Sequence, residues 1–255
     1  MDLIRLKVER ANKHFNDFKA AINVGVGAKR PTYAQGIQLQ DDWTLHYSTD
    51  LPAPGSEEGL MLGDAIHQLR TSLDHLIHAL VAREGRSISD KFTPLFPIHK
   101  DLIDFCANHQ VSSGRLRCLV GAEPFKAIEE SQPYKRDPLQ PAAHPLYVLG
   151  QLDNIDKHRI ILVLDQRLNF SGHIEKDGTI TSFHNRTQPV KAGTQVLDFG
   201  RSLPNPPFGV QVDEMSPSIV IQDTNGVCDG KRIVALFRDM RSAVNETLDR
   251  FEAFF

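Results

Sequence analysis

The chain has 255 residues, 40% hydrophobic and 24% charged, with a formal net charge of −3. That length supports a sizeable core in one large domain, and the slightly acidic total removes any global attraction to nucleic acid, so such a partner needs a local basic patch. Three dispersed cysteines (Cys106, Cys118 and Cys228) without a CxxC pair argue against a disulfide framework or zinc knuckle and fit a reducing cytoplasm; charges from the second residue onward and the lack of a long apolar run argue against a signal peptide and a membrane span.

In chain order, the first helix is expected over about residues 3–24, on a stripe of Leu3, Leu6, Ala11, Phe15, Phe18 and Ile22 stopped by Gly25 and Gly27. The alternation in GIQLQDDWTLHYST, with Asp41-Asp42 at its middle, predicts a hairpin at about 35–48. Ser56 is then the expected N-cap of a long helix over about 57–84, with Glu57 and Glu58 favourably placed in its first turn. TPLFPIHK reads as extended around its prolines. Short helices follow at about 99–109, 113–120 and 123–131, then a Pro-rich loop, SQPYKRDPLQP. Pro141 or Pro145 opens a helix carrying LYVLGQLDNIDKHR.

From about 160 to 225 the pattern turns to strands, including SGHIEKDGTITSF with Asp177-Gly178 at its turn. A last helix at about 231–253 has the stripe Ile233, Phe237, Met240, Val244, Leu248 and Phe251. The fold class expected is therefore α+β. It has a helical bundle core around the long central helix, an N-terminal hairpin and a β-rich segment. All are woven into one domain over 1–255, whose helical part is about 1–160 and 231–255.

The chemistry concentrates in GDAIHQLRTSLDHLIHAL, residues 63–80. Leu62, Ile66, Leu69, Leu73, Leu76 and Leu80 step by four and three and make one apolar seam. Asp64, His67, Thr71, Asp74 and His78 step the same way and make a second, polar one. A solvated face is the ordinary explanation. However, the polar seam lacks Lys and Glu, and His and Thr are mediocre helix formers for a face that meets only water. Arg70 and Asp74 are spaced to pair at i,i+4.

Arg70 and His75 sit within about a turn and a half. They combine a bidentate phosphate ligand with a neutral-pH acid/base, which suffices for metal-independent RNA cleavage through the 2′-hydroxyl, with Asp74 orienting Arg70. A metal reading uses Asp74 and His78 with a third ligand such as His158. His67 lies roughly 16 Å along the helix axis from His78, so those two cannot share an ion. Downstream, QLDNIDKHR offers Asp156, Lys157, His158 and Arg159 as further binding groups, with Asp153 and Lys157 spaced to pair; a charged helix end explains them equally well. A third reading is non-enzymatic: the polar seam packs on NIDKHR as a buried hydrogen-bonded network.

LGDAIHQLRTSLDHLIHAL, FPI, SQPY and LDNIDKHR together resemble a set of bacterial proteins with the same order of motifs, over about residues 1–165, which implies no particular activity. RTSLDH also resembles the Arg-x4-6-His signature of the HEPN superfamily of helical ribonucleases and nucleotide-binding domains. That resemblance implies a homodimer acting on RNA or a nucleotide without metal or other cofactor, with Arg70 on the scissile phosphate and His75 as acid/base. His67, Thr71 and His78 of the polar seam are the candidate binding residues beside them. The chain departs from the family where many members carry Asn after the Arg, here Thr71, and in its β-rich segment.

Overall fold

The structure, a computed structural model, describes side chains for residues 1–22, 55–88, 92–157, 162, 164, 219–221, 226–228 and 230–255, and backbone alone for the other helix and strand residues. Its helices are α1 (Asp2–Val26), α2 (Ser56–Arg83), α3 (Leu102–Ala107), α4 (His109–Ser112), α5 (Arg115–Val120), α6 (Ala122–Glu130), α7 (Pro133–Arg136), α8 (Pro145–His158) and α9 (Ile233–Phe251).

The expected α+β class is corrected. Among residues placed down to their side chains, 72% are helical and 3% strand, confined to one short piece with no sheet of its own. The helical stripes close on one another, and among the described residues of the β-rich segment the buried strand side chains are Ile219, Val220 and Ile221. As backbone alone, the chain traces antiparallel ladders between α1 and α2 and between α8 and α9. The side chains that would make those ladders a core layer lie outside the described residues, as do those of the expected 35–48 hairpin.

The central helix shows why the core is helical. All six leucine and isoleucine positions of its apolar seam are fully buried, and Ala65, Ile77 and Val81 extend the buried surface beyond one stripe. A helix apolar on more than one face belongs inside a bundle; α2 packs on α1, α8 and α9. Its N-cap is Gly55 rather than Ser56, and the Glu58 carboxylate accepts the Gly55 N–H at 2.8 Å. At the other end Gly85, at φ 65°, turns the chain out of the helix: its N–H donates to Ala82 and that of Arg86 to Val81. Only glycine takes that left-handed position without strain.

The stripe of α9 is buried as expected. That of α1 is shifted: Ile4, Val8, Ala11, Phe15 and Phe18 face inward, whereas Leu3 and Leu6 are 81% and 54% exposed. Helices α1 and α9 run antiparallel. Arg5 pairs with Asp249 at 2.7 Å and with Glu252, Phe15 stacks on Phe237 at 3.9 Å between centroids, and Arg241 donates to Asn12 at 2.5 Å. Among the described residues no helix is long and apolar enough to cross a membrane.

Candidate functional site

The polar seam of α2 meets two neighbours, and the rest of it turns back on its own helix or outward. Its N-terminal part meets α8. The His67 ring nitrogen Nδ1 lies 2.8 Å from Asp153 Oδ1, and Lys157 donates to Asp153 Oδ2 at 2.6 Å. Asp153 is 2% exposed, so one almost fully buried carboxylate has each oxygen engaged by a basic side chain, one from each helix. The spacing of Asp153 and Lys157 anticipates their pair; the insertion of His67 from 86 residues away in sequence does not follow from it.

One turn on, Asp156 packs directly over Gly63. A Cβ built on Gly63 would lie 2.2 Å from Asp156 Oδ1 and 2.8 Å from its Cγ, so glycine here is the condition for α8 to approach α2. Burial pushes the Asp156 carboxyl up from its ordinary value, Asp153 and Asp64 push the same way, and His67 and Lys157 oppose them. Substituting Gly63 with alanine is expected to destabilise the fold by about 1–2 kcal/mol, because the overlap outweighs alanine's better helix propensity. Urea unfolding of G63A against G63A/D156A checks this: removing the carboxylate should return most of the loss.

The middle of the seam holds the extended segment before α3. Arg70 Nη1 lies 2.8 Å from Asp74 Oδ1, and Arg70 Nη2 donates to the Phe96 carbonyl at 2.8 Å. The Phe96 N–H returns a bond to Asp74 Oδ1 at 2.9 Å. Nη1 meets the carboxylate as an ion pair and not as an aligned hydrogen bond. The two side chains are 11% and 16% exposed. Burial pushes the Asp74 carboxyl up, while Arg70 and the Phe96 amide pull it down. The same segment is fastened farther along by Gln132, which is fully buried. Its amide nitrogen donates to the Pro97 and Ile128 carbonyls at 2.8 and 3.0 Å, and its oxygen accepts the His99 N–H at 3.0 Å.

The remaining seam residues point elsewhere. His75 is exposed, with its ring 6.4 Å from that of His78. Partial burial lowers its pKa, and Lys7 of α1 and His78 act in the same direction. Thr71 returns its hydroxyl to the Gln68 carbonyl at 3.2 Å, and Asp64 is exposed. Thus Arg70 and His75 are not brought together: Arg70 is held against Phe96 and Asp74, and His75 faces outward beside Lys7. The side chain of His158, and Arg159 as a whole, lie outside the described residues. Asp74, the anchor of the metal reading, is engaged by Arg70 and Phe96, and among the described residues no group of three or more His, Cys, Asp or Glu is placed to hold a metal ion.

Sequence reasoning passed over Asp153, Gly63, Phe96 and Gln132 as site residues. The Asp153–Lys157 spacing was a usable signal for the first. Phe96 acts through its backbone, and the others act through contacts between segments distant in sequence. Comparison with protein-family models, with curated proteins and with solved structures finds no match to the chain.

Proposed function

We propose that the chain is a non-enzymatic helical binding module, and that the titratable residues of α2 are a packing network and not a catalytic centre. The supporting observation is the engagement of Asp153: a carboxylate 2% exposed, with both oxygens taken by His67 and Lys157. Arg70, Asp74 and Phe96 form a second closed set on the same helix. Carboxylates held at low exposure and engaged by neighbouring helices and segments specify how those elements pair, and Asp153 and Asp74 are not presented to a substrate. Phe96, Gln132, Asp153 and Asp156 belong to FPI, SQPY and LDNIDKHR, so these motifs converge on α2 or on the segment it holds.

The ribonuclease reading keeps one specific support. His75 is exposed, and its lowered pKa favours the neutral ring that a general base requires, with Lys7 nearby as a cation. Single-stranded RNA separates the two. The binding-module reading expects the purified protein to leave it intact over a wide concentration range, with and without chelator. Cleavage that is lost in H75A, with the unfolding midpoint unchanged, would establish the ribonuclease reading instead.

A further inference from the structure

A narrow pocket opens where the end of α6, α7, the start of α8 and one face of α9 meet. Its polar wall is Arg136, His144, Glu246 and Arg250, and its floor includes Ser131 and Thr247. Thr247 and Arg250 are three residues apart and Glu246 is four from Arg250, so α9 presents them on one face.

We propose that this pocket binds a phosphate group, carried either by free phosphate or by the end of a nucleotide. Three donors support it. Arg250 is exposed and has no ion pair or hydrogen bond among the described residues, although it lines this pocket and a neighbouring cleft with Lys126 and Phe254. Among the described residues Arg136 has only Glu246 within ion-pair range, at 3.9 Å, too long for a hydrogen bond, so its guanidinium fork is uncommitted there. The His144 Nδ1 accepts the Leu146 N–H at 3.2 Å, which fixes the neutral ring with its proton on Nε2. Two guanidinium groups and an imidazole N–H around one narrow space match the oxygen-rich, bidentate geometry of a phosphate.

The floor is already satisfied: the Ser131 and Thr247 hydroxyls donate to the Ala127 and Ala243 carbonyls at 2.7 and 2.8 Å. They shape the site and leave the anion to the cations. The 14-residue α8 adds the positive end of its dipole. Glu246 is the one opposing charge. It has no buried partner to leave unpaired, and its carboxylate acts as the competitor that an incoming phosphate displaces from Arg136.

The assignment is independent of the reading of the α2 seam, because none of its residues touches that helix's polar face. Isothermal titration of the full chain with inorganic phosphate and with adenosine monophosphate, adenosine serving as control, tests it. Binding is expected with the wild-type chain. R250Q should weaken it about tenfold, the loss of one charge-assisted contact, and E246Q should strengthen it. Tighter binding of the monophosphate than of inorganic phosphate assigns the nucleotide as source; equal binding assigns free phosphate. No binding of either up to about 10 mM, or binding that R250Q leaves unchanged, overturns the proposal. Both substituted side chains are exposed, so folding is not at issue.

Discussion

Replacing Arg70 with alanine is expected to lower the unfolding free energy by about 3 kcal/mol, read by urea denaturation at neutral pH. The cost has two sources. The Asp74 carboxylate, 16% exposed, loses the one cationic partner it has at contact distance among the described residues and keeps the Phe96 N–H as backbone donor. The Phe96 carbonyl loses its bond from Nη2, which loosens the extended segment over α2. Lysine does not substitute: it keeps the charge but cannot reach both Asp74 and Phe96 with one compact ammonium group, so R70K should recover only part of the loss.

The pH dependence of the R70A defect has a definite sign. Burial already raises the Asp74 carboxyl, and removing Arg70 raises it further. A carboxyl whose folded value lies above its unfolded one stabilises the fold most below the unfolded value and least once pH has risen past the folded value. The R70A defect should therefore shrink as the solution is acidified from neutrality toward the ordinary aspartate range near 3.8. A catalytic Arg70 gives the opposite signature, with activity lost and stability kept.

Replacing Asp153 with alanine is expected to cost about 2 kcal/mol, equivalent to about 5 °C in Tm for a chain of this size. The carboxylate is buried, but His67 and Lys157 are 40% and 45% exposed and regain water once released, which holds the penalty below that of a fully enclosed pair. Asparagine keeps the shape and one acceptor while removing the charge, so D153N should fall between alanine and wild type. Differential scanning calorimetry of the two variants gives that order directly.

How much of this was legible in the sequence depends on how local the cause is. The seams of α2 and α9 follow from spacing alone, because one helix presents its own periodicity whatever it packs against. The i,i+4 pairs Arg70–Asp74 and Asp153–Lys157 follow for the same reason. Helix α1 was harder: Leu3 and Leu6 compete with Ile4 and Val8 for the inward face, and the choice is made by packing against α2, a helix distant in sequence, which the periodicity of α1 alone does not show. SQPY reads as a loop because of its proline, yet Pro133 suits the first position of the single-turn helix α7, and the Gln before it is buried for the sake of Pro97, Ile128 and His99.

The candidate site was located but its role was not. Composition shows that the second face of α2 is unusual for a solvated helix, and it cannot show that Asp153, Phe96 and Gly63 complete it. Arg70 and His75 satisfy a catalytic spacing in sequence, but five residues along a helix is about 140° of rotation, and the fold turns one inward and the other outward.

A double-mutant cycle between His67 and Asp153 tests the central claim most directly, since it isolates the contact that joins the seam of α2 to α8. Urea unfolding of wild type, H67A, D153A and the double variant should give a coupling of about 1 kcal/mol, the double variant being less damaged than the sum of the singles. Strict additivity of the two substitutions would contradict the account, because it would mean that the two helices are not held together through this pair.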